Sequence, residues 1–255
     1  MRFSAFDFDV VTSPAPDDLE GPAMTEPKPP LRVLSTLGLM GALQARHAAL
    51  EAALGRDLAI EFAPTKVLID RLAEGAPADL AILTAEAVAA LTSSGRLAPG
   101  GVGLAASLVG MAQAPGRARP DISTPAALIA TLRRARSIAY SGAGASGLYF
   151  AALIEQLGIA SVVNAKATVI PSGLTGALVA RGESEYAIQQ ISELRLVAGI
   201  DIIGPLPATL QTPTVFCAAA VAGAAGEDAA VGLIALLRGP EMAAALAESG
   251  LEPVA

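Results

Sequence analysis

The sequence predicts an α/β protein of two lobes with a ligand cleft between them. Three observations predict it. Short apolar runs alternate with helical patterns, and polar turns separate them. Strand–turn–helix repeats of this spacing build right-handed βαβ units and a parallel sheet. The alternation comes in two blocks, joined by extended segments near residues 104–112 and 211–214. Finally, the loop Ser141-Gly-Ala-Gly-Ala-Ser-Gly147 lies between an apolar run at 137–140 and a helical pattern at 148–157. A strand that feeds a Gly/Ser turn into a helix aims backbone N–H groups at one point, and the helix dipole adds positive charge there. Such a turn suits an anion; it also serves as a flexible strand-to-helix connection. It is not a nucleotide loop, because no Gly-Lys-Ser/Thr follows and the glycines do not fit the dinucleotide fingerprint.

The elements follow in order. Residues 31–34 read as a strand, followed by Ser35, Thr36 and Gly38. A helix over 39–54 stops at Gly55. Residues 58–62 form a second strand, Pro64-Thr65-Lys66 a turn, and the next helix stops at Gly75. Residues 79–83 are a third strand, after which Thr84 caps a helix reaching 94. The run 104–112 reads as one strand. Ser123 or Thr124 caps the next helix, with Pro125 in its first turn, and Arg133, Arg134 and Arg136 suit its C-terminal dipole. Beyond the Gly/Ser loop, 166–170 is a strand, Pro171-Ser-Gly173 a turn and 174–180 a helix. Residues 186–190 form a strand that ends on Gln189 and Gln190, with Ser192 beyond. After a short strand at 201–203 and a long one at 214–222, two helices close the chain. The implied organisation is an N-terminal segment 1–29, a first lobe of 30–105 with 214–255, and a second lobe of 106–213. The polar turns follow the carboxyl ends of strands, the edge where open α/β sheets bind ligands.

Composition narrows the function. The chain has 255 residues, 53% of them hydrophobic and 16% charged, so it buries a sizeable core. Aromatics make only 4%, so that core is built from small side chains in close helix–sheet contact. A net charge of −7 argues against nucleic acid and against an anionic membrane surface. The one cysteine, Cys217, excludes an internal disulfide and a cysteine-cluster metal site, and it reads as a small buried hydrophobe. The single His47 lies on a helix with no second histidine near by. Neither a metal nor any other cofactor is expected. Residues 1–29 hold Asp7, Asp9, Asp17, Asp18 and five prolines with no periodic pattern, and they read as disordered. As written they carry no export signal, so the expected location is cytoplasmic, or periplasmic if such a signal has been removed. No later run is long and uninterrupted enough to insert directly into a membrane.

Three segments carry a resemblance. Leu72-Ala-Glu-Gly-Ala-Pro-Ala-Asp79 resembles the passage before the third strand of the molybdate-binding proteins of ABC transporters. Val179-Ala-Arg-Gly-Glu183, followed by Tyr186-Ala-Ile, is similar to their late helix-to-strand passage, and the stretch from Gly239 to Glu252 to their last helix and tail. The similarity spans about residues 31–253. It implies a type II periplasmic-binding-protein fold, a small anionic ligand and an ABC transporter permease as partner. The family's first-loop serine falls on Gly38, with Ser35 and Thr36 near by, and its second-loop serine on Thr65, beside Lys66. The small residue of its second-lobe anion loop falls on Ser146, in the loop that Ser141 opens, the turn before its late helix on Ser172, and its late tyrosine on Gln190, next to Gln189. Lys66, Gln189 and Gln190 suit an organic carboxylate better than a tetrahedral oxyanion. Aconitate isomerase resembles the same family, so the alternative to a binding protein is an enzyme moving a proton on an unsaturated carboxylate. Lys66, Glu193 and Tyr149 are its candidate acid–base groups.

Overall fold

The computed structural model describes residues 28–254. They form two sheets. The first has six strands in the order β11-β4-β10-β3-β1-β2, and the second has five in the order β7-β6-β8-β5-β9. In chain order the first block is β1 (Leu31–Thr36), a 3-10 turn (Leu37–Leu39), α1 (Met40–Leu54), β2 (Leu58–Ala63), α2 (Thr65–Ala73), β3 (Leu80–Thr84), α3 (Ala85–Ser93) and β4 (Val102–Ser107). The second block is β5 (Val109–Gln113), α4 (Pro125–Arg134), β6 (Ile138–Ser141), α5 (Ala145–Gln156), α6 (Ala160–Asn164), β7 (Ala167–Ile170), α7 (Gly176–Ala180), β8 (Tyr186–Gln190), α8 (Ile191–Leu194) and β9 (Asp201–Pro205). The chain returns through β10 (Thr214–Ala220), α9 (Glu227–Leu237), α10 (Pro240–Glu248) and β11 (Glu252–Pro253).

Local chemistry accounts for the boundaries. Thr84 Oγ1 accepts the Ala87 N–H at 3.3 Å and starts α3. Thr124 Oγ1 does the same for Ala127 at 3.1 Å, and Pro125 takes the first turn of α4. Gly55, with φ of 57°, ends α1 in the left-handed region where a side chain is strained. Every residue of β3 is buried, as fits a strand with neighbours on both sides and helices on both faces, whereas the edge strand β2 has only its first residue fully buried.

Each sheet is covered on two faces. In the first, Leu43, Leu50, Leu233, Leu237, Met242 and Leu246 of α1, α9 and α10 cover one face, and Leu68, Leu72, Val88 and Leu91 of α2 and α3 cover the other. Ala105, Ala218 and Ala230 supply the close contacts that a small-residue core needs. No single helix among the described residues is long and apolar enough to cross a membrane; α9 and α10 meet at 65° and their apolar residues belong to this core.

The run read as one strand over 104–112 is two. β4 pairs with β10 in the first sheet, β5 pairs with β8 and β9 in the second, and only Leu108 separates them. An apolar sequence serves both, since each strand is sandwiched between layers. The chain returns through residues 206–213. Gln211 fastens this return to the outgoing crossover: its Oε1 accepts from Val109 N–H at 2.9 Å, and its Nε2 donates to Val109 O at 3.2 Å and Leu206 O at 2.7 Å.

Candidate functional site

The carboxyl ends of β1, β2, β6 and β8 carry the polar residues singled out in the sequence. On the first sheet, Ser35, Thr36 and Thr65 are all buried. Thr36 Oγ1 and Thr65 Oγ1 lie 3.4 Å apart, and Ser35 Oγ donates to Thr36 O at 3.1 Å. Gly38 offers no side chain, and an added Cβ would meet Phe216 Cζ at 2.6 Å. The Phe216 ring therefore fills the space that a hydroxyl-bearing side chain at 38 needs.

Lys66 departs from expectation. Its side chain is 58% exposed and its Nζ pairs with Asp70 one turn on, at 2.8 Å. It adds no ammonium to the buried threonines beside it. Its backbone contributes instead: the Lys66 N–H donates to Ala143 O at 3.1 Å, so the start of α2 touches the Gly/Ser loop of the second sheet.

That loop is a tight turn. Ser141 Oγ accepts the N–H groups of Ala143 at 3.2 Å and Gly144 at 2.9 Å, so this hydroxyl shapes the loop from within. Ser146 is buried in the first turn of α5. A Cβ on Gly147 would sit 1.8 Å from Ser141 O, so only glycine lets α5 start this close to the strand.

On β8 the two glutamines have different partners. Gln189 Oε1 accepts from both the N–H and the hydroxyl of Thr175 at 2.8 Å, and its Nε2 donates to Gly173 O at 3.3 Å. Gln189 is thus committed to holding the turn that carries the exposed Ser172. Gln190 Nε2 donates to Thr214 Oγ1 at 2.9 Å, while its Oε1 is buried without a partner. The Ser192 hydroxyl is in the same condition.

Glu193 is 7% exposed. Burial lifts its carboxyl to about 7, even though the Gln189 amide and the Gln190 backbone N–H favour the charged form. Tyr149 is engaged elsewhere: its hydroxyl donates to Leu210 O at 2.6 Å and burial raises its pKa further. Ser192 was placed at this strand end by the sequence; Thr175 and Phe216 escaped the sequence reading, and nothing local marks Phe216. A separate apolar groove of about 270 Å³ between α1 and the α9–α10 pair shares no residue with this cluster.

The fold and the sequence together define a solute-binding protein scaffold. The profile of the bacterial extracellular solute-binding protein family matches residues 31–252, and the chain belongs to that family. It is 37% identical over 236 residues to the aconitate isomerase of a Pseudomonas species, covering 90% of each chain. Among solved structures it resembles the periplasmic molybdate-binding protein of Azotobacter vinelandii, with a TM-score of 0.72, 19% identity and coverage of 87% of this chain and 98% of that one. It also resembles the sulfate-binding protein of Mycobacterium tuberculosis, with a TM-score of 0.69, 18% identity and coverage of 89% and 88%. The expected two-lobed type II periplasmic-binding-protein fold is borne out.

Proposed function

We propose that this protein binds a small organic carboxylate between its two sheets, with Thr36, Thr65, Ser146 and the N–H groups of the Gly/Ser loop as donors. The observation that carries this reading is the buried, unpartnered Oε1 of Gln190. A buried acceptor without a donor costs free energy, about 1–3 kcal/mol. A tetrahedral oxyanion offers it only more acceptors. A carboxylate that also bears a hydroxyl or a protonated carboxyl supplies the missing donor. The molybdate- and sulfate-binding proteins that share this fold support an anion as the ligand. A member that only binds its solute would hand it to an ABC transporter permease outside the cytoplasm.

A second reading has its own support. The relative at 37% identity is named an aconitate isomerase, and the cluster includes a buried carboxyl with proton affinity near neutrality. In this reading the bound ligand is an unsaturated tricarboxylate, and the protein moves a proton on it. Isothermal titration with molybdate, sulfate, a hydroxycarboxylate such as citrate, cis-aconitate and trans-aconitate tests the carboxylate reading. Micromolar binding of a carboxylate with no molybdate response is the expected result; tight molybdate binding alone rejects it. Following the bound aconitate by NMR then separates binding from turnover.

A further inference from the structure

We propose that the Ala143–Gly144 peptide is a two-state switch: in the arrangement seen here its carbonyl caps α2, and on anion binding it turns over to present its N–H instead. The inference rests on the reading of an anion between the two sheets and adds how the Gly/Ser loop receives it. As it stands, the peptide faces the wrong way for that task. Ala143 O accepts the N–H of Lys66, the second residue of α2, at 3.1 Å. The other side of the peptide points into its own loop, where the Gly144 N–H donates to Ser141 Oγ at 2.9 Å. The Ala143 N–H donates to the same oxygen at 3.2 Å. The carbonyl and the N–H of one trans peptide point in opposite directions. An anion at this edge therefore meets an acceptor where it needs a donor.

One rotation corrects this on both sides of the cleft. It releases the Lys66 N–H, in the first turn of α2, beside the Thr36 and Thr65 hydroxyls that lie 3.4 Å apart. It also adds the Gly144 N–H to those of Ala145 and Ser146, which take no acceptor among the described residues. Successive backbone N–H groups of this kind form the concavities that hold anions. Two neutral hydrogen bonds part, and bonds to an ionised acceptor, each roughly twice as strong, replace them.

Gly144 permits the motion. Its φ is −80° and its ψ 153°, a conformation open to any residue. Turning the peptide by about 180° carries φ to about +100° with ψ kept, a region essentially reserved for glycine. Position 144 thus has no backbone need of glycine in the arrangement seen here and depends on it in the other. Gly147 differs, because a Cβ there would fall 1.8 Å from Ser141 O as the loop stands.

The test titrates citrate, cis-aconitate, trans-aconitate, sulfate and molybdate into the full chain as wild type, Gly144→Ala, Ser141→Ala and the double variant. Gly144→Ala should fold and should bind whichever anion the wild type holds at least ~10-fold more weakly. Ser141→Ala removes the acceptor that keeps the Gly144 N–H turned inward, so it should bind about 2–10-fold more tightly. The double variant separates strain from crowding, because a Cβ at 144 would lie 3.1 Å from Ser141 Oγ. Affinity that stays low in the double variant supports the switch; affinity restored to that of Ser141→Ala means crowding alone and overturns it. A folded Gly144→Ala of wild-type affinity, or a Ser141→Ala that binds more weakly, overturns the switch and leaves the anion reading intact. If none of these anions binds the wild type, both fall. If Gly144→Ala does not fold, backbone NMR of the wild type decides. The φ of Gly144 should change sign on saturation with the anion that binds, and an unchanged φ rejects the switch.

Discussion

Replacing Gly38 by serine tests whether Phe216 has taken the place of a ligand hydroxyl. The added Cβ would meet three ring carbons of Phe216, at 2.6, 3.0 and 3.2 Å. Carbon atoms rest comfortably at about 3.5–4.0 Å, so the ring must withdraw by roughly 1 Å. Phe216 is 1% exposed and sits among Leu39, Leu104 and Ala218 in the first core, where nothing yields freely. Overpacking of this kind costs about 1–3 kcal/mol. In a chain of this length each kcal/mol lowers Tm by about 2–4 °C, so calorimetry should record a fall of about 2–12 °C. Phe216→Leu removes the ring. Against that background Gly38→Ser should cost far less, giving a coupling of about 1–3 kcal/mol in the double-mutant cycle. The double variant regains a hydroxyl donor, so its molybdate affinity should exceed that of the wild type. A Gly38→Ser protein melting within about 1 °C of the wild type would refute the reasoning, because the ring would then be no barrier.

Gly147→Ala should disable the Gly/Ser loop, since the new Cβ falls 1.8 Å from the Ser141 carbonyl oxygen and backbone must move; titration should show more than a ~10-fold loss of carboxylate affinity. Lys66→Ala should leave affinity nearly unchanged, because an exposed pair of this spacing is worth only about 0.3–0.5 kcal/mol. A tenfold loss in that variant would mean that the lysine turns inward on binding. Glu193 should also mark the stability profile. Its carboxyl rises from 4.5 in the unfolded chain to about 7 in the folded one, so the folded state holds the proton more tightly. The stability tied to that proton is complete below about pH 4.5 and is lost as pH climbs through about 7, a change on the order of 3 kcal/mol. Urea unfolding at several pH values should show this slope in the wild type, and its persistence in Glu193→Gln would assign it to another group.

Much of the architecture could be read from the sequence because its signals are local. Thr84 and Thr124 announce their helices within four residues, and Pro125 and Gly55 bound theirs by backbone chemistry alone. The division of residues 104–112 was invisible because Leu108 is where the partner strands change, not where the composition does. The glutamines show a related limit. Consecutive strand residues face opposite sides, so Gln189 and Gln190 cannot share one role. The sequence places both at the strand end but not which one the Thr175 turn will claim. For Lys66 the signal was present: Asp70 one turn later favours an exposed pair over an inward reach. Phe216 belongs to the far end of the chain and meets Gly38 only through the sheet, so no nearby pattern reveals that contact.

The hydrogen bond from Lys66 N–H to Ala143 O has a kinetic consequence. It joins the two edges between which the proposed site lies, and it uses main-chain atoms, which among substitutions at 66 only proline deletes. On the proposed reading, a solute waits for this bond to part. At low concentration, arrival should scale with collisions. At high concentration, the observed rate in stopped-flow mixing should level off at the frequency of opening. The apparent affinity is then the intrinsic one weakened by the fraction of molecules open at any instant. Two homologues with identical cleft residues can differ in uptake simply because one holds this contact longer.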